Sequence, residues 1–581
     1  MLKLVLGASG SGKTTLLYAR IRARAEAGKR SILLVPEQFT SSTEARIYRE
    51  LGDALSGMVE SYSFTSLAEH ILAVEGGAAV QTLTDAGRAV LVRRALEELQ
   101  DNVHYYYRHR RSAAFCQMAA ETIDELKSAG LSGQQLQELA RDCGSESAKL
   151  GELALIFQGY ESLLAGTGMD PADRLELAAD RLEAALARDE LPDFLREREV
   201  FIDEFDTFNA PKKRLMGAML AALPAVTVAL CEDGAPMQPG DLELFSGAKQ
   251  VAAQLRQLAR KNGAQVAAPE LLRRDLRHKD APGLAALTEL LETGSCTPPE
   301  SAPELRLFAA ASREEEARCA AAAIRRLMRQ GVRCGKIAVV CRDISLYRAA
   351  VRYEFRMAEI PLYCDEPTTP EFSAPATAAR ALLALLRGAD MTEQLTVLAK
   401  TGLCALTEPE VCALENYAYT WSPNAAAWRA EFTKSPRGFG DAELTEEDTQ
   451  NLTRAENARK KLVTAVDTLR GKVRSANAEQ ISRALYFCLK ELGAEGQQAV
   501  QVEDIRTARG IPAAEEAARE WNVVMQLLDE MARLLGSQGI TVPEYEDLFS
   551  LLLRSSDLGH IPQTLDAVVP VSYTHLTLPT T

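Results

Sequence analysis

The residues with the clearest chemical meaning are the eight that read GASGSGKT, at positions 7–14. Glycines in such a loop let successive backbone N–H groups surround the phosphates of a nucleotide. The lysine reaches the β- and γ-phosphates, and the hydroxyl that follows it ligates magnesium. The loop therefore predicts a site for ATP and Mg²⁺, with contacts expected from Gly7, Ala8, Ser9, Gly10, Ser11, Gly12, Lys13, Thr14 and Thr15.

The residues on either side of this loop have the patterns of a strand and a helix. Residues 3–6 form a short apolar run, and Leu16, Leu17 and Ile21 recur at helical spacing after the loop. A strand, a loop and a helix in this order turn the positive end of the helix dipole toward a phosphate. The alternative is that the loop is an unrelated turn, which would not require a strand before it and a helix after it. Only six residues precede Gly7, which leaves no room for an upstream glutamine that reads adenine, so adenine selectivity stays open.

A pair of carboxylates follows a second buried strand pattern. In VFIDEFDTF, residues 200–202 predict the strand, and Asp203 and Glu204 come directly after it. Ligands bind at the C-terminal edge of parallel sheets, so both carboxylates are expected beside the phosphate loop. We expect Asp203 to bind magnesium through water and Glu204 to polarise the attacking nucleophile. A solvated acidic turn is the alternative interpretation of the same pair.

The elements that must position these residues predict an α/β fold, in which P-loop RecA-like parallel-sheet lobes carry large helical insertions. Segments beginning at Leu305 and Lys336 predict two strands of the second lobe, on either side of a helix. The predicted divisions are a first lobe at 1–275 with a helical insertion at about 84–190, a proline-rich linker at 276–303, the start of a second lobe at 304–375, a helical insertion at 376–560, and a return into the second lobe at 561–571.

Bulk composition narrows the class of protein. A chain of 581 residues exceeds what one hydrophobic core usually supports, so several domains are expected. The net charge of −15 argues against nonspecific coating of nucleic acid, although a local basic groove stays open. No apolar run is long enough to span a membrane, which predicts a cytoplasmic protein. The eleven cysteines include no CxxC pair, so we interpret most of them as small buried hydrophobic residues.

Taken together, the P-loop, VPEQFT, SFTSLAEHIL, FIDEFDTF and IAVVCRDISLY resemble superfamily 1 helicases, most closely the AddB family of bacterial helicase–nuclease B subunits. The resemblance extends to about residue 570. It implies an ATP-binding subunit that processes double-strand DNA ends for recombinational repair, in a heterodimer with a catalytic A subunit. It also implies that Arg342 faces the γ-phosphate across the cleft between the lobes. A surface arginine at the end of a strand is the alternative.

The end of the sequence departs from this resemblance. Residues 560–571, HIPQTLDAVVPV, are similar to the return of such chains into the second lobe, whereas residues 572–581 are unlike the continuation. The resemblance therefore implies a C-terminally truncated chain that lacks the nuclease domain and its iron–sulfur cysteines. No carboxylate set in the sequence suggests nuclease chemistry.

An aromatic and basic run within the first predicted insertion is the candidate DNA contact. Aromatic faces can stack bases while arginines hold phosphates, which makes Tyr105, Arg108, Arg110 and Arg111 the candidates. The alternative is a helix with buried tyrosines and a solvated basic face.

Two other classes of function stay open at this point: a P-loop kinase and a noncatalytic scaffold that binds nucleotide. A kinase would need a phosphoacceptor pocket and an arginine-rich lid, usually within one domain of roughly 200 residues. The two predicted strand-and-helix cores favour the helicase-like interpretation over a kinase, whereas a scaffold would be distinguished by its lack of ATP turnover.

Overall fold

The computed structural model describes residues 1–77, 82–99, 101–110, 112–235, 244–363, 369–440, 443–536, 539–556, 558 and 566–572. Within them, strands β1 to β8 span Leu2–Gly7, Ser31–Leu34, Val59–Tyr62, Glu199–Ile202, Ala225–Cys231, Glu270–Leu272, Ala338–Cys341 and Val569–Ser572. Helices α1 to α23 span Lys13–Glu26, Thr40–Leu51, Asp53–Ser56, Phe64–Glu75, Asp85–Glu98, Ala113–Ser128, Gly133–Ala140, Ser147–Thr167, Pro171–Ala187, Ala210–Ala222, Ser246–Lys261, Pro282–Thr293, Arg313–Arg329, Ile344–Met357, Ala374–Arg387, Met391–Lys400, Glu408–Trp421, Ala425–Arg429, Glu446–Val473, Ala478–Leu492, Ala494–Arg509, Ile511–Leu535 and Val542–Ser555.

Six strands form one parallel sheet in the order β3-β2-β4-β5-β1-β6. The strands are apolar on both faces because helices cover both: β1 contributes Leu2, Leu4 and Leu6 to one core and Val5 to the other. This architecture confirms the predicted α/β class. Since all six strands run in one direction, their C-terminal ends lie along one edge of the sheet, where a ligand is expected.

The two predicted helical insertions share a single apolar core, which includes residues of α5, α6 and α8 together with helices from α15 to α23. Arg93 of α5, whose side chain is 3% exposed, lies 2.7 Å from Glu97 and 3.2 Å from Glu544 of α23. Thr84, the N-cap of α5, donates a 2.8 Å hydrogen bond to Glu530 of α22. The helices therefore form one body that joins distant parts of the sequence. No helix within the described ranges is long and apolar enough to cross a membrane.

Helix α9 falls within the first predicted insertion but packs on the sheet. Its buried residues Leu175, Ala178, Ala179 and Leu182 belong to the same core as β1 and β4. Their spacing gives one apolar stripe along the helix, and that stripe faces the sheet core.

The second lobe consists of α13, β7, α14 and β8, which pack around Phe355 and Ile324. Strand β8 pairs with β7 in parallel, from Ala338 opposite Val569 onward. The strand predicted to begin at Leu305 is wrong: residues 305–310 form no strand, and Leu307 is 99% exposed. Alternation of apolar residues is not sufficient for a strand, because strand preference depends on neighbouring strands and packing. Residues 561–565 of the predicted return, and 573–581 of the tail, lie outside the described residues.

Candidate functional site

The phosphate loop connects the C-terminal end of β1 to the N-terminus of α1. Gly10 and Gly12 have φ angles of 80° and 90°, a conformation that side chains with a Cβ rarely adopt. A Cβ on Gly7 would lie 2.4 Å from the Oγ atom of Ser11. The glycines predicted to shape the loop therefore occupy positions that need them.

The polar side chains of the loop are buried. Lys13 is 3% exposed and donates hydrogen bonds of 2.8 Å to the carbonyl oxygens of Gly7 and Ala8. Burial lowers the pKa of Lys13, against an opposing effect of nearby acidic groups. The Oγ atom of Ser11 is also buried and has no hydrogen-bond partner among the described residues. Such a hydroxyl costs free energy until an acceptor arrives, and a phosphate oxygen is one. The buried lysine and this hydroxyl therefore fit a bound phosphate chain.

Thr14 and Asp203, the two residues expected to hold Mg²⁺, are in direct contact. Asp203 follows β4 and is 3% exposed. Burial raises the pKa of its carboxyl group, and hydrogen bonds donated by the Thr14 hydroxyl and the backbone N–H of Glu204 oppose that rise. A hydroxyl and a carboxylate are oxygen ligands of the kind that Mg²⁺ accepts. Thr15, the last predicted nucleotide contact, is exposed on α1.

Glu204 has both an unusual backbone and an unusual acidity. Its φ angle is 65°, in the left-handed region that non-glycine residues seldom occupy, and such conformations concentrate at functional sites. Burial, and secondly the charge of Asp203, raise the pKa of Glu204 to about 7, against the opposing charge of Arg46. A carboxylate with that pKa can act as a general base near neutral pH.

Residues 275–278, where the sequence predicted the first lobe to end and the linker to begin, lie against the phosphate loop. The backbone N–H of Leu276 donates a 2.9 Å hydrogen bond to the carbonyl oxygen of Gly10. The Nη1 atom of Arg277 is 3.3 Å from the Oγ atom of Ser9. A Cβ on Gly10 would lie 2.9 Å from side-chain atoms of both Arg277 and Asp275. Arg277, which the sequence analysis did not identify, therefore lies beside the nucleotide site.

Strand β6 is the element that brings these residues to the loop, because it pairs in parallel with β1. The prolines of the region had favoured a linker over residues 276–303, yet α12 occupies 282–293 of that range. The available signal was the short segment ELL at 270–272, with two leucines, followed directly by the basic stretch RRDLRH.

Arg342 is exposed directly after β7, in the second lobe. It lines a cavity of about 530 Å³ with Phe308, Cys341 and Tyr347. Its position at the C-terminal end of a strand is the one that ligand-binding residues of parallel sheets occupy. The predicted role toward the γ-phosphate stays a prediction.

The predicted DNA-contacting cluster lies on a loop and a short 3-10 turn, Tyr107–His109, and not on a helix. The backbone N–H groups of residues 104, 105 and 106 donate hydrogen bonds of 2.7 to 3.1 Å to the carboxylate of Glu152, which fixes the start of this loop. Tyr105 is 58% exposed and Tyr107 is 47% exposed. The alternative of wholly buried tyrosines therefore does not hold for these two.

The charged members of the cluster lie beside the exposed rings. The guanidinium of Arg110 is 3.6 Å from the centre of the Tyr107 ring. Arg108 is exposed, whereas Arg111 lies outside the described residues. An exposed ring with a stacked cation is a surface on which a base and a phosphate could both be held.

Comparison with known proteins gives this site its context. Residues 4–288 match the family model described as "ADDB, N-terminal". The chain is similar to proteins named as the B subunit of an ATP-dependent helicase/deoxyribonuclease, at 30% identity in Moorella thermoacetica, 30% in Desulforudis audaxviator and 24% in Clostridium acetobutylicum. Each alignment covers 98% of this chain and 50% of the relative, so the chain spans about half the length of these relatives. On this evidence, the chain belongs to the AddB family.

Proposed function

We propose that this chain binds ATP with Mg²⁺ as part of a helicase–nuclease B subunit that processes double-strand DNA ends for recombinational repair. The observation that carries the proposal is the contact of Thr14 with the buried Asp203, beside the buried Lys13. The names of the relatives support ATP-dependent action on DNA as the setting for this site.

In this proposal the charge of Lys13 moves from the loop carbonyls to the β- and γ-phosphates. Thr14 and Asp203 hold Mg²⁺, which when bound offsets negative charge on the phosphates. Glu204, whose pKa of about 7 suits a base at neutral pH, accepts a proton from the attacking water. Arg277, at 3.3 Å from Ser9, adds positive charge at the outer side of the loop. The described first lobe thus supplies binding groups and a base.

The rest of the proposal concerns DNA and the second lobe. Arg342 would add positive charge to the γ-phosphate from across the cleft between the lobes. Tyr105, Arg108, Arg110 and Arg111 would contact DNA. The word "subunit" in the names of the relatives supports a partner chain, and we propose a catalytic A subunit in a heterodimer.

The test is titration of a fluorescent ATP analogue, with and without Mg²⁺, into the wild-type chain and Lys13→Ala. Loss of charge-assisted hydrogen bonds worth about 1.5–3 kcal/mol should weaken binding by about 10- to 100-fold. Lys29→Ala, which removes an exposed lysine from the same lobe, is the matched control. Equal affinity of Lys13→Ala and wild type would show that the loop does not hold the triphosphate.

DNA distinguishes the classes of function in the same assay. We expect DNA ends to alter the affinity for ATP or its turnover. A P-loop kinase should be indifferent to DNA, and a scaffold should bind the analogue with no turnover and no response to DNA. Either of those two results would contradict the helicase-like proposal while leaving the nucleotide site intact.

A further inference from the structure

The second lobe carries a concentration of positive charge, and apart from Arg342 the proposed nucleotide site does not use it. Residues 318–357 contain ten arginines and lysines and two carboxylates, in a chain whose net charge is −15. The three glutamates at 314–316 lie in the first turn of α13, at the other end of that helix. The positive charge therefore collects toward the C-terminal ends of α13 and α14.

Both of these helix ends lie at the same end of the lobe. Helix α13 leads into β7 through residues 330–337, and the chain that follows α14 pairs through Leu362 with Val568, directly before β8. Because β7 and β8 are parallel, both connections lie at the N-terminal ends of the strands. Arg342 follows the opposite end of β7, so this region is separate from the predicted nucleotide-facing edge.

Five arginines form the surface in question, which we call the arginine face. Arg325, Arg326 and Arg329 of α13 line a surface pocket with Met357 and Glu359, from the end of α14. The other two members are Arg333, just after α13, and Arg356, in the last turn of α14. Four of the five are exposed, and Arg325 is half-buried.

The arginine face lacks the partners that other arginines of the chain have. Arg318, earlier on α13, lies 3.0 Å from the carboxylate of Glu354. None of the five arginines forms an ion pair or a side-chain hydrogen bond with any residue that the structure describes, including Glu359 in the same pocket. Unpaired guanidinium groups that share one pocket repel one another, and a polyanion would relieve that repulsion.

Stabilisation of the helix ends explains only part of this arrangement. A basic side chain in the last turn of a helix offsets its dipole by about 0.3–1 kcal/mol. Arg326, Arg329 and Arg356 satisfy that condition, but Arg325 lies just before the last turn and Arg333 lies beyond the helix. The helix dipole also does not account for the shared pocket, which is lined by three arginines of α13 and by residues at the end of α14.

We infer that the arginine face binds the phosphodiester backbone of duplex DNA, an inference that rests on the proposed action of this chain on DNA ends. The planar guanidinium group matches phosphate oxygens in a bidentate geometry. The residues that line the pocket include no aromatic ring on which an unpaired base could stack, which favours the backbone of a duplex over a single strand. In an acidic chain, a local basic surface also determines where DNA approaches.

The test compares two triple variants of equal charge change. Arg326→Gln, Arg329→Gln and Arg356→Gln together remove three members of the face. The control combines Arg141→Gln, Arg181→Gln and Arg474→Gln, which replace exposed arginines elsewhere that have no ion pair among the described residues. Binding of a labelled blunt-ended duplex is followed by fluorescence anisotropy over a series of salt concentrations. Each phosphate that is no longer neutralised lowers the log–log salt slope by about 0.9, so the slope of the first variant should fall by about 2 to 3 while the control keeps the wild-type slope.

Titration of the fluorescent ATP analogue into the same proteins separates this inference from the proposed function. If wild type binds both ATP and duplex, and the first variant keeps the wild-type salt slope, the inference that the arginine face binds DNA is overturned. The proposed function then stands. If wild type binds ATP but no duplex, or binds neither, the inference falls together with the DNA part of the proposed function. Competition with polyglutamate tests an acidic protein partner: if the first variant loses affinity for polyglutamate but not for duplex, the DNA assignment is overturned.

Discussion

At the scale of single residues, the site combines polar groups whose burial costs free energy unless a ligand or an opposite charge lies nearby. Ser11 has a buried hydroxyl without a partner among the described residues, and Asp203 and Glu204 are neighbouring carboxyl groups that are both drawn out of water. Burial of like charges costs stability, which functional sites commonly accept. These costs can be measured one residue at a time.

Glu204→Gln is expected to stabilise the chain at high pH and to leave its stability unchanged at low pH. The pKa of Glu204 is about 7 in the folded chain, above the ordinary value of about 4.3. A raised carboxyl pKa means that folding disfavours ionisation, so stability falls as pH rises from about 4.3 to about 7 and stays lower above it. Glutamine removes that loss.

The measurement is the melting temperature of the transition that ATP shifts, at about pH 8 and about pH 4. Glu26→Gln, at an exposed position of α1, is the control. A gain of equal size at both pH values would contradict the assigned cause, because the ionisation penalty is absent at the lower pH.

Arg277→Gln tests the residue that sequence reasoning missed. Removal of a charged group near Ser9 should weaken ATP binding by about tenfold or more, and ADP binding by less, since the triphosphate carries more charge. Arg274→Gln, three residues earlier and exposed, is the control. Equal affinities of Arg277→Gln and wild type for ATP would show that Arg277 only packs against the loop.

The residues of the phosphate loop could be predicted because their chemistry is local in the sequence. Gly10 and Gly12 adopt the positive φ angles that the motif needs. Thr14 contacts Asp203 although the two are 189 positions apart, because both follow strands of one parallel sheet. Arg277 could not be predicted in the same way. Its position depends on the pairing of β6 with β1, and a three-residue strand with only two apolar residues does not specify that pairing.

At the scale of elements, the central strands could be predicted and the peripheral ones could not. Buried strands such as β4 contain a continuous apolar run, here residues 200–202, whose length and flanking residues identify the strand. The segment at 305–310 is also largely apolar, but no strand pairs with it within the described residues, and Leu307 remains exposed. Whether such a segment forms a strand depends on a neighbouring strand to pair with, and not on the segment alone.

The loop that carries Tyr105 and Tyr107 is the element whose proposed role is easiest to test. Replacing Arg108, Arg110 and Arg111 with alanine should weaken DNA binding and lower the log–log salt slope by about 0.7 to 0.9 for each phosphate that an arginine no longer neutralises. The same measurement on Arg141→Ala, Arg181→Ala and Arg474→Ala, at exposed positions without an ion pair among the described residues, controls for net charge. An unchanged slope in the first variant would assign the cluster a purely structural role.

At the scale of the whole molecule, the helical body connects the beginning and the end of the chain. Arg93 and Glu544 are 451 positions apart and 3.2 Å from one another. The amphipathic pattern of each helix predicted that it has a buried face, but not which helix covers that face, because many helices carry similar apolar stripes. The segment 276–303 connects the first lobe to the second. The helical insertions of the two lobes also share one core, which is a second link between the lobes.

This connection gives the last prediction, which concerns Arg342. If the second lobe closes on the nucleotide, Arg342 contributes charge only when negative charge develops on the transferring phosphoryl group. Arginines in such positions are worth about 10³ to 10⁵ in rate. The affinity for a transition-state analogue, ADP with aluminium fluoride, should therefore depend on Arg342 far more than the affinity for a non-hydrolysable ATP analogue does.

The measurement is the affinity of Arg342→Ala for both nucleotides in the presence of Mg²⁺ and DNA. We expect affinity for the ATP analogue to change little, because Lys13, Thr14 and Asp203 all belong to the first lobe. Trapping of ADP with aluminium fluoride should fall by at least 100-fold, a conservative fraction of the effect of about 10³ to 10⁵ seen in related sites. Arg306→Ala, at an exposed position before α13, should leave both affinities unchanged. Equal losses for the two nucleotides would mean that Arg342 binds the ground state, and no loss for either would place it outside the cleft.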